Sequence, residues 1–90
     1  MSAKEMFEKL GYKRKRNIIF KLFGHHEEDT ITYENEQKRE YIFFITTGIH
    51  TGYIQKGHKR KDGQILGYGI IEYNELQAIN KQVEELGWYD

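Results

Sequence analysis

The 90-residue chain contains no cysteine, which excludes a disulfide framework and a thiolate metal site and fits a reducing compartment. Its only serine is Ser2. Serine or cysteine nucleophiles therefore have no credible candidate, and no threonine or lysine stands in a pattern that would activate it. No apolar run approaches membrane-spanning length, and Met1 to Glu5 lack the apolar core of a secretion signal. A phosphate-cradling glycine loop is also missing, because Gly67 and Gly69 have neither a third glycine nor a helix start behind them. These absences predict a soluble, cytoplasmic protein with no cofactor and no enzymatic activity.

What is present is apolar and aromatic material for a single core: 38% hydrophobic and 14% aromatic residues over 90 positions suit one domain spanning residues 1–90. The net charge of zero conceals segregation. Residues 1–23 carry +5, residues 24–40 carry −4, residues 41–71 carry +3 and residues 72–90 carry −4. Alternating blocks imply that neighbouring elements attract one another. A net charge near zero gives little protection against self-association.

The most legible element is a helix over residues 73–88. Leu76, Ile79, Val83 and Leu86 recur at intervals of three, four and three, giving one apolar stripe, with Glu75, Lys81, Gln82 and Glu85 facing away. Glu72 or Asn74 is its N-cap. At the other end of the chain, Ser2 followed by Glu5 forms a capping box, and Met6, Phe7 and Leu10 give a second apolar stripe ending at Gly11. Phe7 to Tyr12 and Val83 to Trp88 share one spacing, which predicts glycine-terminated endings with Tyr12 folded onto Phe7 and Trp88 onto Val83.

Strand patterns fill the middle: residues 17–23, an edge strand; residues 30–34, with one wet face; residues 41–46, apolar on both faces and therefore central; residues 49–56; and residues 64–71, after a glycine-bounded loop at 57–63. Gly52, Gly67 and Gly69 within the last two strands mark bulges, bends or close backbone approach. The predicted fold is α+β: an N-terminal helix, a four- or five-stranded antiparallel meander and a C-terminal helix packed on the sheet. Both helices on one face would leave the far side of residues 41–46 apolar. Either the helices cover opposite faces, or a patch remains for a partner.

The segments Ala3-Lys4-Glu5-Met6-Phe7-Glu8-Lys9-Leu10-Gly11-Tyr12 and Glu75-Leu76-Gln77-Ala78-Ile79-Asn80-Lys81-Gln82-Val83-Glu84-Glu85-Leu86-Gly87-Trp88 resemble the ends of a group of small uncharacterised proteins encoded by phages and prophages of Gram-positive bacteria. The resemblance implies the helix, β-rich middle and closing helix, together with a phage-related origin. It carries no catalytic residue, cofactor or binding site.

Two chemical readings compete with a purely structural one. His25, His26, Glu27, Glu28 and Asp29, with His50 and His58, supply metal-ligating types, but adjacent histidines on an extended loop point apart, and a solvated polar loop explains them better. Lys13, Arg14, Lys15 and Arg16, and Lys59, Arg60 and Lys61 beside His58, are compact basic clusters that could follow a phosphate backbone, with Tyr41, Phe43, Phe44, Tyr53 and Tyr68 available for stacking on an open sheet. The two acidic blocks oppose that reading. The sequence therefore predicts a small non-enzymatic module that binds a host or phage protein through an exposed sheet face, the edge strand at 17–23 or the basic loops. Nucleic-acid binding is the alternative, and edge pairing into a homodimer is a further outcome.

Overall fold

The computed structural model describes residues 1–15, 30–48, 51–67 and 69–88. Its elements run α1 (Ala3–Lys9), β1 (Lys13–Lys15), β2 (Thr30–Asn35), β3 (Glu40–Gly48), β4 (Thr51–Lys59), β5 (Ile65–Leu66) and α2 (Tyr73–Glu85). The five strands form one antiparallel sheet in sequence order. This is the expected α+β meander between two helices.

Local chemistry sets both helix ends as the spacing predicts. The Ser2 hydroxyl accepts from the Glu5 amide while the Glu5 carboxylate accepts from the Ser2 amide. At the other end, the Tyr12 amide reaches the Phe7 carbonyl and the Gly11 amide reaches Glu8. Trp88 and Gly87 repeat this pattern on Val83 and Glu84. Gly11 and Gly87 have φ of 94° and 76°, the left-handed conformation that glycine adopts without steric cost. The Tyr12 ring meets Phe7 edge-on at 5.7 Å.

Both helices cover the same face of the sheet. Phe7 of α1 and Ala78, Ile79 and Val83 of α2 join Tyr12, Tyr33, Ile42 and Phe44 in the main core. Phe7 stacks on Tyr33 at 4.0 Å and meets Phe44 edge-on at 6.0 Å. The Ala3 amide donates to the Glu85 carboxylate at 2.8 Å, tying the start of α1 to the end of α2.

The far face of β3 is not an exposed patch. Tyr41, Phe43 and Ile45 form a second cluster with Ile65 against it, and all three are closed to solvent. The Tyr41 and Phe43 rings lie parallel at 5.7 Å, and the Tyr41 hydroxyl donates to Glu34 at 2.6 Å. Neither outcome left open by the sequence is met, since the helices share one face and yet no apolar patch remains on the other; the double-sided apolarity marks a central strand buried on both sides.

Other boundaries move. A strand already begins at Lys13, within the basic run, because Lys13, Arg14 and Lys15 pair with Glu34, Tyr33 and Thr32. The strand expected at 17–23 and the histidine-acid loop at 24–29 lie outside the described residues. β4 continues through Gly57 to Lys59, since Gly57 faces Tyr41 and its missing side chain leaves room for Phe43 and Ile65. β5 is only two residues long, and beyond it the chain becomes a strap whose Gly67 and Gly69 pass close over β4. Among the described residues, no helix is long and apolar enough to cross a membrane.

Phe7 brings α1 into contact with three other rings of the main core, those of Tyr12, Tyr33 and Phe44. Phe7→Ala is expected to cost about 3–5 kcal/mol in urea unfolding, the range for removing a buried phenylalanine. A loss below about 1 kcal/mol would contradict the packing described.

Candidate functional site

The site is built from the strap and the first turn of α2, anchored by a buried polar network. β4 alternates, so the side that points Ile54 into the helix-covered core also points Lys56 there. Its side chain is 1% exposed. The ammonium donates to Glu75 at 2.9 and 3.1 Å and to the Ile70 carbonyl at 2.7 Å, with Glu40 at 3.6 Å. Glu75, whose side chain is 5% exposed, also accepts from the Tyr12 hydroxyl at 2.5 Å and from the Glu72 amide at 2.9 Å. Glu72 is the N-cap of α2. One carboxylate thus joins the end of α1, the sheet, the strap and the start of α2.

The helix is accordingly rotated from its apolar stripe. Glu75, Ala78, Ile79, Gln82 and Val83 are buried, and Gln82 accepts from the Tyr33 hydroxyl at 2.6 Å. Periodicity alone puts Glu75 and Gln82 outside and Leu76 inside. At 100° per residue the buried arc is turned by roughly 50° from the predicted one. Burying Glu75 swings Leu76 to the flank.

The result is an apolar knuckle. Ile70 is 84% exposed, Ile71 40%, Tyr73 88% and Leu76 48%. With Glu72 as N-cap, Ile71 and Leu76 stand at the N′ and N4 positions of α2, the pair at which apolar side chains often meet as a hydrophobic staple. Ile70 and Tyr73 stand at neither position. The backbone beneath them is fixed: Lys56 holds the Ile70 carbonyl, and a Cβ on Gly69 would lie 2.6 Å from the Lys56 stem. Gly67 passes as closely over Gln55, which donates to its carbonyl at 3.0 Å. Close approach of the strap therefore explains both glycines.

The basic residues singled out in the sequence are only partly brought together. Lys13 and Lys15 project to the far face of the sheet. Arg14, opposite Tyr33, is on the helix face. Arg16 lies outside the described residues. Lys15 pairs with Glu36 at 3.2 Å and Glu34 at 3.8 Å. Lys59, Arg60 and Lys61 line a shallow hollow of about 390 Å³ at the same end of the sheet, with Glu34, Glu36 and Arg39. Arg39 is a contributor that no basic run in the sequence marks. Of the proposed stacking rings, Tyr41, Phe43 and Phe44 are buried, Tyr53 is exposed and Tyr68 lies outside the described residues. His58 is on β4 opposite Glu40 and Leu66, and His25, His26 and His50 lie outside the described residues. No group of three potential metal-ligating side chains occurs among the described residues.

Comparison with known proteins returns no match: no family model fits the chain, and neither a curated protein nor a solved structure is significantly similar to it.

The network predicts a pH dependence on both sides. Burial alone would raise the Glu75 carboxyl, but the hydrogen bonds from Tyr12, the Glu72 amide and Lys56 together hold it below its ordinary value of 4.5. Its contribution to stability is therefore complete above the ordinary carboxylate range and is lost as pH falls through the lowered value. Burial raises the phenol of Tyr33 to about 12 and raises those of Tyr12 and Tyr41 further, the latter two helped by their carboxylate acceptors. Above the ordinary phenol value of 10.0 the unfolded chain loses these protons while the folded one keeps them, so stability falls as pH rises. Urea midpoints should decline at both ends, and Tyr12→Phe should move the acid limb to higher pH. An acid limb unchanged in that variant would remove Glu75 from the account.

Proposed function

We propose that the chain is a small non-enzymatic accessory protein of phage or prophage type, acting in the cytoplasm of a bacterial host by binding another protein through the apolar knuckle. The observation that carries this reading is the exposure of Ile70 and Tyr73 on a backbone fixed from below by Lys56. In a 90-residue chain large apolar side chains are needed for the core, and two left almost wholly in solvent need another explanation.

Such a knuckle has the chemistry of a protein anchor. Burying an isoleucine or a tyrosine against a partner returns about 1.5–3 kcal/mol each. An aromatic held on an ordered backbone loses little conformational entropy when it docks. The phage-related part of the reading rests on the resemblance of the two terminal segments, and the non-enzymatic part on the missing nucleophile and activating sets.

The test is capture from a Gram-positive bacterial lysate treated with nuclease, comparing the wild-type chain with Ile70→Asp/Tyr73→Asp. Tyr73 is the first residue of α2, where an acidic side chain suits the helix dipole, so the variant should keep its thermal midpoint. A discrete protein retained by the wild type and lost from the variant is expected. Equal retention by both would show that the knuckle is not the binding surface.

A further inference from the structure

We propose that the end of the sheet formed by the β2–β3 turn and the β4–β5 hairpin is a second binding surface, independent of the knuckle, that takes the phosphate backbone of nucleic acid. The charges at this end are unequally satisfied. Its carboxylates have local partners: Glu34 has the Tyr41 hydroxyl and Lys15, Glu36 has Lys15, Glu40 has Lys56 and Asp62 has Arg60. Arg39, Lys59 and Lys61 have no ion-pair partner among the described residues. Each acidic group at this end thus has a cation nearby, with Glu34 and Glu36 sharing Lys15 and Glu40 sharing Lys56 with Glu75, while three cations on the rim of the hollow have no carboxylate partner.

The placement of Arg39 supports this assignment. Its φ is +55°, making it the one non-glycine residue with positive φ among the described residues, at a turn position where glycine or asparagine would be the undemanding choice. Its carbonyl accepts from the Lys59 amide at 2.8 Å, so the two loops are cross-linked and the two cations are cross-strand neighbours, one step beyond the Glu40 and His58 pair. Like charges facing across a sheet destabilise it. A bound anion reverses that effect.

The fold also sets the acidic block of residues 72–90 apart from the hollow, whereas Glu34 and Glu36 of the block at 24–40 line it. Glu72, Glu84 and Glu85 belong to the α2 segment, in the layer on the opposite face of the sheet. Lys13, opposite Glu34, reaches the same end from β1, so a strand of phosphates crossing the hollow would meet a cation on that side too, while Lys15 there is held by Glu34 and Glu36. Among the described residues the exposed rings on the sheet are Tyr53 and the imidazole of His58, too few for a stacking platform, so the recognition is electrostatic, with little preference among sequences.

The experiment is fluorescence anisotropy of labelled 20-base-pair duplexes of two unrelated sequences, in 50 and 200 mM salt. Neutralising about three phosphates gives a logarithmic salt slope near −2.7, a weakening of about 40-fold over that interval. Arg39→Gln/Lys59→Gln/Lys61→Gln should weaken binding at least tenfold at 50 mM salt. Glu36→Gln, at an exposed position, should strengthen it. Lys4→Gln/Lys81→Gln, on the two helices, should leave it within twofold. Absence of binding at 50 mM salt would overturn the proposal. So would equal losses in the two multiple variants, or binding to vesicles with 30% anionic lipid but not to the duplexes.

Discussion

The contact between Lys56 and Glu75 governs the rest of the structure. Two charges almost wholly removed from water are tolerable only when each is paired and its remaining hydrogen-bonding capacity is used. Here it is: the ammonium has Glu75, the Ile70 carbonyl and nearby Glu40, and the carboxylate has the ammonium, a phenol and a cap amide. No buried side-chain polar atom is left without a partner among the described residues. An apolar pair could hold the layers as firmly, but it would not choose which face of α2 meets the sheet. The polar network does choose, and its choice turns Leu76 and Tyr73 outward.

The same contact divides the legible parts of the sequence from the illegible ones. The capping box at Ser2, the glycine endings and the double-sided apolarity of β3 are local signals, and each leads to the correct element. The orientation of α2 is not a local property. Glu75 and Gln82 look like solvent-facing residues until Lys56, nineteen positions away from Glu75, and Tyr33 supply their partners. One signal is present: Ile54 and Lys56 have the same parity in β4, so a strand that buries the first must bury or pair the second. The strap reads as strand in the sequence because Gly67 and Gly69 follow an alternating run. Their purpose, close passage over Gln55 and Lys56, is visible only once the chain has crossed β4.

The candidate surfaces follow the same division. The basic clusters are visible as runs, but alternation separates Lys13 and Lys15 from Arg14, and the turn adds Arg39, which no run contains. The knuckle is invisible in the sequence because periodicity assigns Leu76 to the core and Ile70 and Ile71 to a last strand. Two chemically distinct candidate surfaces then lie on different parts of the described structure. The apolar one is positioned by the buried network, and the basic one by the hydrogen bond between the two loops.

The most direct measurement of the central claim is a double-mutant cycle in urea with Lys56→Met, Glu75→Met and the two combined. If the buried pair sets the layer arrangement, each single change strands a charge in the interior and costs about 3–5 kcal/mol. The double variant then recovers part of that loss, with a coupling of about 1–3 kcal/mol. Two single effects that simply add would contradict the account.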